Sequence, residues 1–275
     1  MSAFLTRFAP SPTGQLHLGH VYSALAVWRA AEIAGGPAPI LRIEDVDLTR
    51  CRPEFEAQIL EDLAWLGLEW QAGVRRQSEH FSDYQKALET LDNRGLLYKC
   101  FRTRQEVAAA GGEAFRGSRL PLEMEEEYLE AGKPYALRLS LERARDILGA
   151  KYDELQYIEE KQGTRRVIPA DPAQTGDVVL KRKDSPTSYH LACTRDDAAA
   201  GITHIIRGED LLSAAPIHAL LQELMGWPKP IYIHHKLLFG ADGKKLAKRD
   251  KSTSLASLRQ EGLSAADVIA LIESK

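Results

Sequence analysis

The sequence predicts an α/β fold with a parallel sheet, because apolar segments of strand length alternate with segments of helical periodicity over its first hundred residues. Residues 3–8 predict a buried strand, and Pro10, Pro12 and Gly14 rule out regular structure after it. From Leu18 onward, apolar residues recur three, four and seven positions apart, as on one face of a helix. A helix start that follows a strand can bind an anion, because free backbone N–H groups and the helix dipole favour phosphate.

The elements that follow repeat this alternation. Residues 39–43 predict a second buried strand, and Pro53 suits the first turn of the helix after it. Ser82 is a suitable N-cap for a third helix, which Gly95 ends. Further segments predicted to form or line the sheet lie at residues 177–180, 188–193, 202–207 and 232–239.

The middle of the chain has a different character. Residues 98–175 contain a run of small residues, an acidic helix around residues 123–130 and alternating strands, which together predict an α+β insertion. The insertion would divide the parallel α/β domain into residues 1–97 and 176–240. Residues 241–275 are expected to form a basic loop and two short C-terminal helices.

Composition limits the class of protein. The 275 residues are 44% hydrophobic and 27% charged, which is typical of a globular protein with a sizeable core. No apolar run is long enough to span a membrane, and the N-terminus lacks signal-peptide features. Three scattered cysteines predict a reduced, cytoplasmic protein without disulfides. The net charge of −3 gives no overall attraction to nucleic acid, so RNA binding would depend on local basic patches.

Two groups of polar residues stand at the ends of predicted strands. His17 and His20 lie in the first turn of the first helix, where they could donate hydrogen bonds to phosphate oxygens. They could equally be surface or capping histidines. Asp45 and Asp47 directly follow the second strand, where open α/β sheets bind ligands. A solvated turn or a helix cap is the alternative for these carboxylates.

A basic loop at residues 244–249 indicates a function only when it is considered together with the two histidines. Taken alone, such a loop is usually exposed to solvent. Attack of a carboxylate on the α-phosphorus of ATP, however, requires charge stabilisation at the phosphates and little covalent chemistry from the protein. Lysines on a loop could approach the triphosphate from one side, and histidines at the helix start could hold the other.

This pairing resembles the class I aminoacyl-tRNA synthetases, and the resemblance implies that the divided α/β domain is a Rossmann-like catalytic domain. Residues 17–20, His-Leu-Gly-His, resemble their His-Ile-Gly-His signature, and residues 245–249, Lys-Leu-Ala-Lys-Arg, resemble Lys-Met-Ser-Lys-Ser. Within the class, the sequence is most similar to the glutamyl branch at residues 7–14, 41–45 and 207–210. The motifs are highly specific together, and the similarity extends over nearly the whole chain.

The resemblance implies a glutamate site. Arg7 would pair with the side-chain carboxylate of glutamate, a bidentate match that lysine could not provide. Ser11 and the backbone near Ala9 would lie beside it, and Glu44 would accept the α-ammonium group. Without the motifs, Tyr189 would be a core aromatic residue and Arg207 a partner in an ion pair at the sheet edge. The residues implied to bind glutamate are Arg7, Phe8, Ala9, Pro10, Ser11, Glu44, Tyr189 and Arg207.

The resemblance also implies an ATP site that works with Mg²⁺. One departure from the family pattern is Ala247, which replaces a serine of the loop signature and leaves both lysines in place. Activity is therefore expected to survive. The implied catalytic residues are His17, His20, Lys245 and Lys248, and those implied to bind ATP are His17, Gly19, His20 and Lys248.

The position of the lysine signature selects a subfamily. Only 26 residues follow Arg249, whereas glutamyl-tRNA synthetases continue into an anticodon-binding region. The chain therefore resembles the glutamyl-queuosine tRNA(Asp) synthetases, and residues 21–25 fit that family better. The resemblance implies tRNA-independent activation of L-glutamate with ATP, transfer to queuosine at the wobble position of tRNA(Asp), and a monomer.

Three alternatives stay open at this point. A truncated glutamyl-tRNA synthetase could charge the 3′ end of tRNA(Glu). A small-molecule ligase could use the same nucleotide-binding fold, although it would not share the glutamate-pocket residues. A catalytically silent relative could bind only nucleotide or tRNA.

A second departure concerns zinc, which many members of the family bind in the insertion. Cys100 matches the first zinc ligand, but Arg102 stands at the second position. No further cysteine occurs until Cys193, and residues 103–135 contain no histidine. A structural zinc ion needs four N or S ligands. We therefore expect no zinc. His234 and His235 receive no role from the sequence.

Overall fold

The structure is a computed structural model and describes residues 4–238 and 254–274. The strands are β1 (Arg7–Phe8), β2 (Ile40–Ile43), β3 (Val74–Arg76), β4 (Leu97–Cys100), β5 (Ala136–Leu139), β6 (Gln156–Lys161), β7 (Thr164–Pro169), β8 (Val179–Lys181), β9 (His204–Gly208) and β10 (Ile231–His235). The α-helices are α1 (Leu18–Ile33), α2 (Pro53–Trp65), α3 (Phe81–Asn93), α4 (Arg104–Ala109), α5 (Leu122–Glu130), α6 (Leu141–Leu148), α7 (Ala150–Asp153), α8 (Tyr189–Ala199), α9 (Ala215–Met225), α10 (Leu255–Gln260) and α11 (Ala265–Glu273).

Parallel strands form the centre of the fold. One sheet has the parallel order β1-β2-β3, and a second contains β6, β10 and β9 in parallel, with β7 antiparallel to β6. The segment before β1 connects them, because the Leu5 carbonyl accepts hydrogen bonds from the backbone N–H groups of Thr203 at 2.9 Å and His204 at 3.0 Å. The predicted α/β class is confirmed.

The residues predicted as an insertion are divided between two sheets. β4, β5 and β8 form a small antiparallel sheet. The β6–β7 hairpin lies within residues 98–175, yet β6 pairs with β10 of the parallel sheet. The hairpin therefore connects the middle of the chain to the strands of the predicted catalytic domain. The domain boundaries themselves stay a prediction.

Two large apolar clusters support the sheets. The first is formed mainly by α3, α8 and α9 with β4 and β10, and includes the fully buried Tyr84 and Tyr232. The second surrounds β1 and β2, where α1 and α2 pack with the two C-terminal helices through Leu255 and Val268. None of the helices in the described ranges is long and apolar enough to cross a membrane.

Some sequence predictions about individual elements need correction. Residues 188–193, predicted to line the sheet with no element type assigned, belong to the helix α8 and the residue that caps it. α8 is buried on several sides, so its sequence lacks the one-sided periodicity by which a surface helix is recognised. The N-cap of α3 is His80 instead of Ser82, because a 3₁₀ turn leads directly into the helix. β1 spans two residues, and β10 ends at His235.

Candidate active site

A cavity of about 330 Å³ lies at the carboxyl ends of β1, β2, β9 and β10. Open α/β sheets bind their ligands at this edge. The first turns of α1 and α8 complete its wall. The cavity brings together nine residues that the sequence singled out: Arg7, Phe8, Ala9, His17, Gly19, His20, Glu44, Tyr189 and Arg207.

Two residues implied to bind glutamate lie outside this wall. Pro10 is buried, and its carbonyl accepts a hydrogen bond from the backbone N–H of Glu44 at 3.0 Å. Ser11 is exposed, and its carbonyl accepts from the N–H of Thr13 at 2.8 Å. The hydrogen bond to the Pro10 carbonyl holds the turn after β1 against the end of β2. The implied catalytic Lys245 and Lys248 lie outside the described residues, as does Ala247.

The two histidines of the signature cap α1 and also line the cavity. His17 is the N-cap, and its Nδ1 accepts from the backbone N–H of Gly19 at 3.1 Å. His20 Nδ1 accepts from the backbone N–H of His17 at 3.3 Å, and the rings stack with centroids 3.7 Å apart. A neutral ring that accepts at Nδ1 carries its proton on Nε2. The capping and phosphate-binding interpretations are therefore compatible, because each uses a different ring nitrogen.

A buried carboxylate holds Arg7 in place. Asp197, on α8, accepts from Arg7 Nε at 2.9 Å and from Arg42 Nη1 at 2.5 Å. Burial acts to raise the pKa of Asp197, but the charges and hydrogen bonds of Arg42 and Arg7 outweigh it and lower the pKa. Asp197 therefore stays ionised and joins β1 and β2 to α8. A charge-assisted network of this kind fixes the guanidinium groups in position.

Glu44 contributes a negative charge to the same cavity. Arg42 Nη2 donates to Glu44 Oε1 at 3.0 Å, and the Glu44 side chain is 11% exposed. Burial raises the pKa of Glu44, and the positive charges of Arg42 and Arg7 oppose that rise only in part. A cation arriving beside Glu44 would favour the ionised form. Glu44 is thus suited to receive an ammonium group.

Tyr189 and Arg207 form the opposite part of the wall. Burial raises the pKa of Tyr189, so its hydroxyl group keeps its proton and can donate. Arg207 is buried at the end of β9, and its guanidinium carbon lies 4.8 Å from the ring centroid of Tyr232. Among the described residues, Arg207 Nη2 has no hydrogen-bond partner. Because Arg207 lines the cavity, its positive charge favours binding of an anion at this wall.

The sequence did not reveal every residue that builds the site. Arg42 and Asp197 were not assigned a role, although a charged residue inside a predicted buried strand signals a buried partner of opposite charge. Nothing in the sequence indicated that Asp197 is that partner. The cavity wall also includes Asp210 and His235, with His235 Nε2 lying 3.1 Å from Ser23 Oγ.

The region in which family members bind zinc has an apolar centre. Cys100 is buried with Tyr98 and Phe115, and the Arg102 guanidinium lies 6.0 Å from the Phe115 ring centroid. Within residues 4–238 and 254–274, no group of three or more His, Cys, Asp and Glu side chains could hold a metal ion. The expectation of no zinc stays a prediction.

Comparisons with known proteins place the chain in a family. Residues 3–272 match the family model of class I tRNA synthetases (E and Q), catalytic domain. A glutamyl-Q tRNA(Asp) synthetase of Rhodobacter capsulatus is 42% identical, over 98% of this chain and 99% of the relative. A glutamate–tRNA ligase of Coprothermobacter proteolyticus is 36% identical, over 94% of this chain and 55% of the relative.

Solved structures agree with this placement. The crystal structure of the glutamate-tRNA synthetase from Elizabethkingia anophelis matches 98% of this chain with a TM-score of 0.75 and 31% identity. The chain spans 61% of that protein. The fold and the cavity thus define an ATP-dependent ligase domain of the class I synthetase type, as the sequence predicted. The chain belongs to the class I tRNA synthetases (E and Q), catalytic-domain family.

Proposed function

We propose that this protein activates L-glutamate with ATP, without needing tRNA for that step, and transfers glutamate to queuosine at the wobble position of tRNA(Asp). The observation that carries the proposal is the shared cavity. Arg7, Arg207 and Glu44 line it together with the signature histidines His17 and His20. Two cations and one anion match an amino acid that has two carboxylates and one ammonium group.

The charges of the wall suggest how glutamate is oriented. Arg7 uses Nε to bind Asp197, and no described residue forms a hydrogen bond with its Nη atoms. Those atoms would pair with the side-chain carboxylate of glutamate. Glu44 would accept the α-ammonium group, and Arg207 with Tyr189 would complete the site. The α-carboxylate would then lie towards the start of α1.

ATP would bind at the helix start as its Mg²⁺ complex. His17 and His20 carry Nε2–H groups that suit phosphate oxygens, and the N-terminus of α1 favours negative charge. An oxygen of the glutamate α-carboxylate attacks the α-phosphorus, and the bond from that phosphorus to the bridging oxygen of pyrophosphate breaks. Lys245 and Lys248 would stabilise the departing pyrophosphate. The described residues on both sides of their loop support this, since Leu238 lines the cavity and Ser254 pairs with His17.

Transfer would complete the reaction. A hydroxyl group of queuosine attacks the carbonyl carbon of glutamyl-adenylate, an ester bond forms, and AMP leaves as the hydroxyl proton is lost to solvent. The similarity to proteins called glutamyl-Q tRNA(Asp) synthetase supports queuosine as the acceptor. A cytoplasmic location and a monomeric state belong to the same proposal.

Labelled glutamate distinguishes this proposal from its main alternative. We expect transfer to tRNA(Asp) that carries queuosine and none to tRNA(Asp) that lacks it. Equal transfer to both forms, or transfer only to tRNA(Glu), would contradict the proposal. The second outcome would favour a glutamyl-tRNA synthetase activity, which the similarity to glutamate–tRNA ligases makes the second candidate.

Glutamate-dependent exchange between ATP and pyrophosphate tests the activation step separately. We expect exchange without added tRNA. Its absence in folded protein would favour a catalytically silent relative, and exchange with another acid in place of glutamate would favour a small-molecule ligase.

A further inference from the structure

Arg207 is held by histidines on two neighbouring elements. Arg207 Nε donates a hydrogen bond to His234 Nε2 on β10 at 3.1 Å. Arg207 Nη1 lies 3.3 Å from His218 Nδ1 on α9. Both contacts leave Nη2 without a partner among the described residues. The two histidines therefore contact two of the three guanidinium nitrogens, and Arg207 itself lines the cavity.

The contact with His234 requires one particular tautomer. Because Arg207 Nε can only donate, His234 Nε2 must be unprotonated. Burial lowers the pKa of His234, and the charge of Arg207 lowers it further against the opposing effect of Glu159, so the ring is neutral near pH 7. Its single proton therefore lies on Nδ1.

Glu159 provides the acceptor for that proton. His234 Nδ1 lies 2.9 Å from Glu159 Oε1. Glu159 stands on β6, whose pairing with β10 places Tyr232 opposite Glu159. The hairpin thus supplies a carboxylate that fixes the tautomer of a histidine, and the histidine in turn orients an arginine. Carboxylate–histidine pairs have this orienting effect where the second ring nitrogen contacts a functional group.

We propose that His234, with its tautomer fixed by Glu159, is a positioning residue that holds the guanidinium group of Arg207 in the cavity wall, where it pairs with an anionic group of the substrate. The inference rests on the proposed place of Arg207 in the glutamate site. It gives a role to a histidine outside the sequence signatures and to a hairpin that lies in the predicted insertion.

Steady-state exchange between ATP and pyrophosphate tests the inference. We expect His234→Phe to raise the KM for glutamate about 10-fold to 100-fold, because the buried Arg207 Nε–H loses its acceptor. The KM for ATP should stay at the wild-type value. His234→Gln should restore the KM for glutamate, because its amide oxygen can reach the position of Nε2. His204→Phe is the matched control, a buried histidine on β9 whose Nδ1 lies near Thr203 Oγ1.

Several outcomes would overturn the inference. One is an unchanged KM for glutamate in His234→Phe, and another is an equal rise in both KM values. The inference also fails if His234→Gln raises the KM for glutamate as much as His234→Phe does. If the wild type exchanges but Arg207→Ala leaves the KM for glutamate unchanged, Arg207 lies outside the glutamate site and the inference fails with that assignment.

A spectroscopic measurement is independent of activity. Long-range ¹H–¹⁵N correlation of the histidine side chains, with His234 assigned through the His234→Gln variant, should show the Nδ1–H tautomer at pH 7. Glu159→Ala should populate the Nε2–H tautomer. An Nε2–H tautomer in the wild type would overturn the inference even if glutamate-dependent exchange were absent and the proposed function had failed on its own.

Discussion

Replacement of Asp197 by asparagine tests the buried charge network most directly. Asp197 is 4% exposed and carries the only negative charge that Arg7 contacts within the described residues. It also pairs with Arg42, which is 2% exposed and has Glu44 as a second partner. Removal of one partner from a buried pair costs about 3–5 kcal/mol, because the remaining charge is left uncompensated. We expect Asp197→Asn to lower the free energy of unfolding by that amount at pH 7.

Urea unfolding, monitored by circular dichroism, measures this loss of unfolding free energy. The matched control is Asp153→Asn, whose ion pair with Arg145 is exposed and screened by solvent and should therefore add little to stability. Equal stability of the two variants would refute the reasoning. The lowered pKa of Asp197 adds a check, since stability contributed by such a group is present above the unfolded pKa and is lost as the pH falls through the folded pKa. The wild type should therefore approach Asp197→Asn in stability at acid pH.

Three further predictions address single features of the chain. Arg7→Ala should abolish glutamate-dependent exchange while calorimetry finds ATP binding largely intact; an equal loss of ATP binding would contradict its assigned role. Metal analysis of purified protein should find no stoichiometric zinc, because Arg102 replaces the second ligand after Cys100; one equivalent would refute this expectation. Burial and then Arg207 lower the pKa of His190 to about 4, so the unfolded chain binds a proton between pH 6.5 and about 4 that the folded chain does not. Stability should thus fall as the pH decreases through this window. His190→Asn should reduce the slope of the unfolding free energy against pH by about 1.4 kcal/mol per pH unit at pH 5. An unchanged slope would show that another group titrates.

The sequence predicted helices well where one face is buried and the ends carry local signals. α1 begins at Leu18 and α2 at Pro53, as expected from periodicity and from the preference of proline for a first turn. The helical structure of α8 was not predicted, for a physical reason. Its buried residues include Leu191, Cys193 and Asp197, so polar and apolar side chains alike face the interior and no amphipathic pattern results.

Residues of the candidate site were predictable where a motif surrounded them. Arg7, Glu44 and Arg207 lie in such motifs, and the structure brings them to one cavity. The residues that support them lie outside any motif. Arg42 required a partner, yet a chain with 39 acidic residues offers no local pattern that selects Asp197, which is 155 positions away. Asp197 becomes the partner of Arg42 only because α8 packs against the sheet.

The buried charges around the cavity are unequal in number. Arg7, Arg42 and Arg207 contribute three guanidinium groups, while Asp197 and Glu44 contribute two carboxylates. The neighbouring histidines do not change this balance, because burial first and then the charge of Arg207 lower the pKa values of both His218 and His234. Asp210 also lines the cavity but is exposed, so positive charge exceeds negative charge by one among the buried groups alone, which favours binding of an anion.

Glutamate, the proposed substrate, has two carboxylates and one ammonium group, so its single net negative charge would balance this excess. Glutamine has nearly the same shape but no net charge, and its amide N–H₂ would face the guanidinium group of Arg7, which can only donate hydrogen bonds. We therefore expect the protein to distinguish glutamate from glutamine by the charge of the side chain more than by its size. We expect kcat/KM for exchange to be lower with glutamine than with glutamate by about 100-fold or more. Comparable values for the two amino acids would mean that the excess charge is balanced by some other group than the substrate.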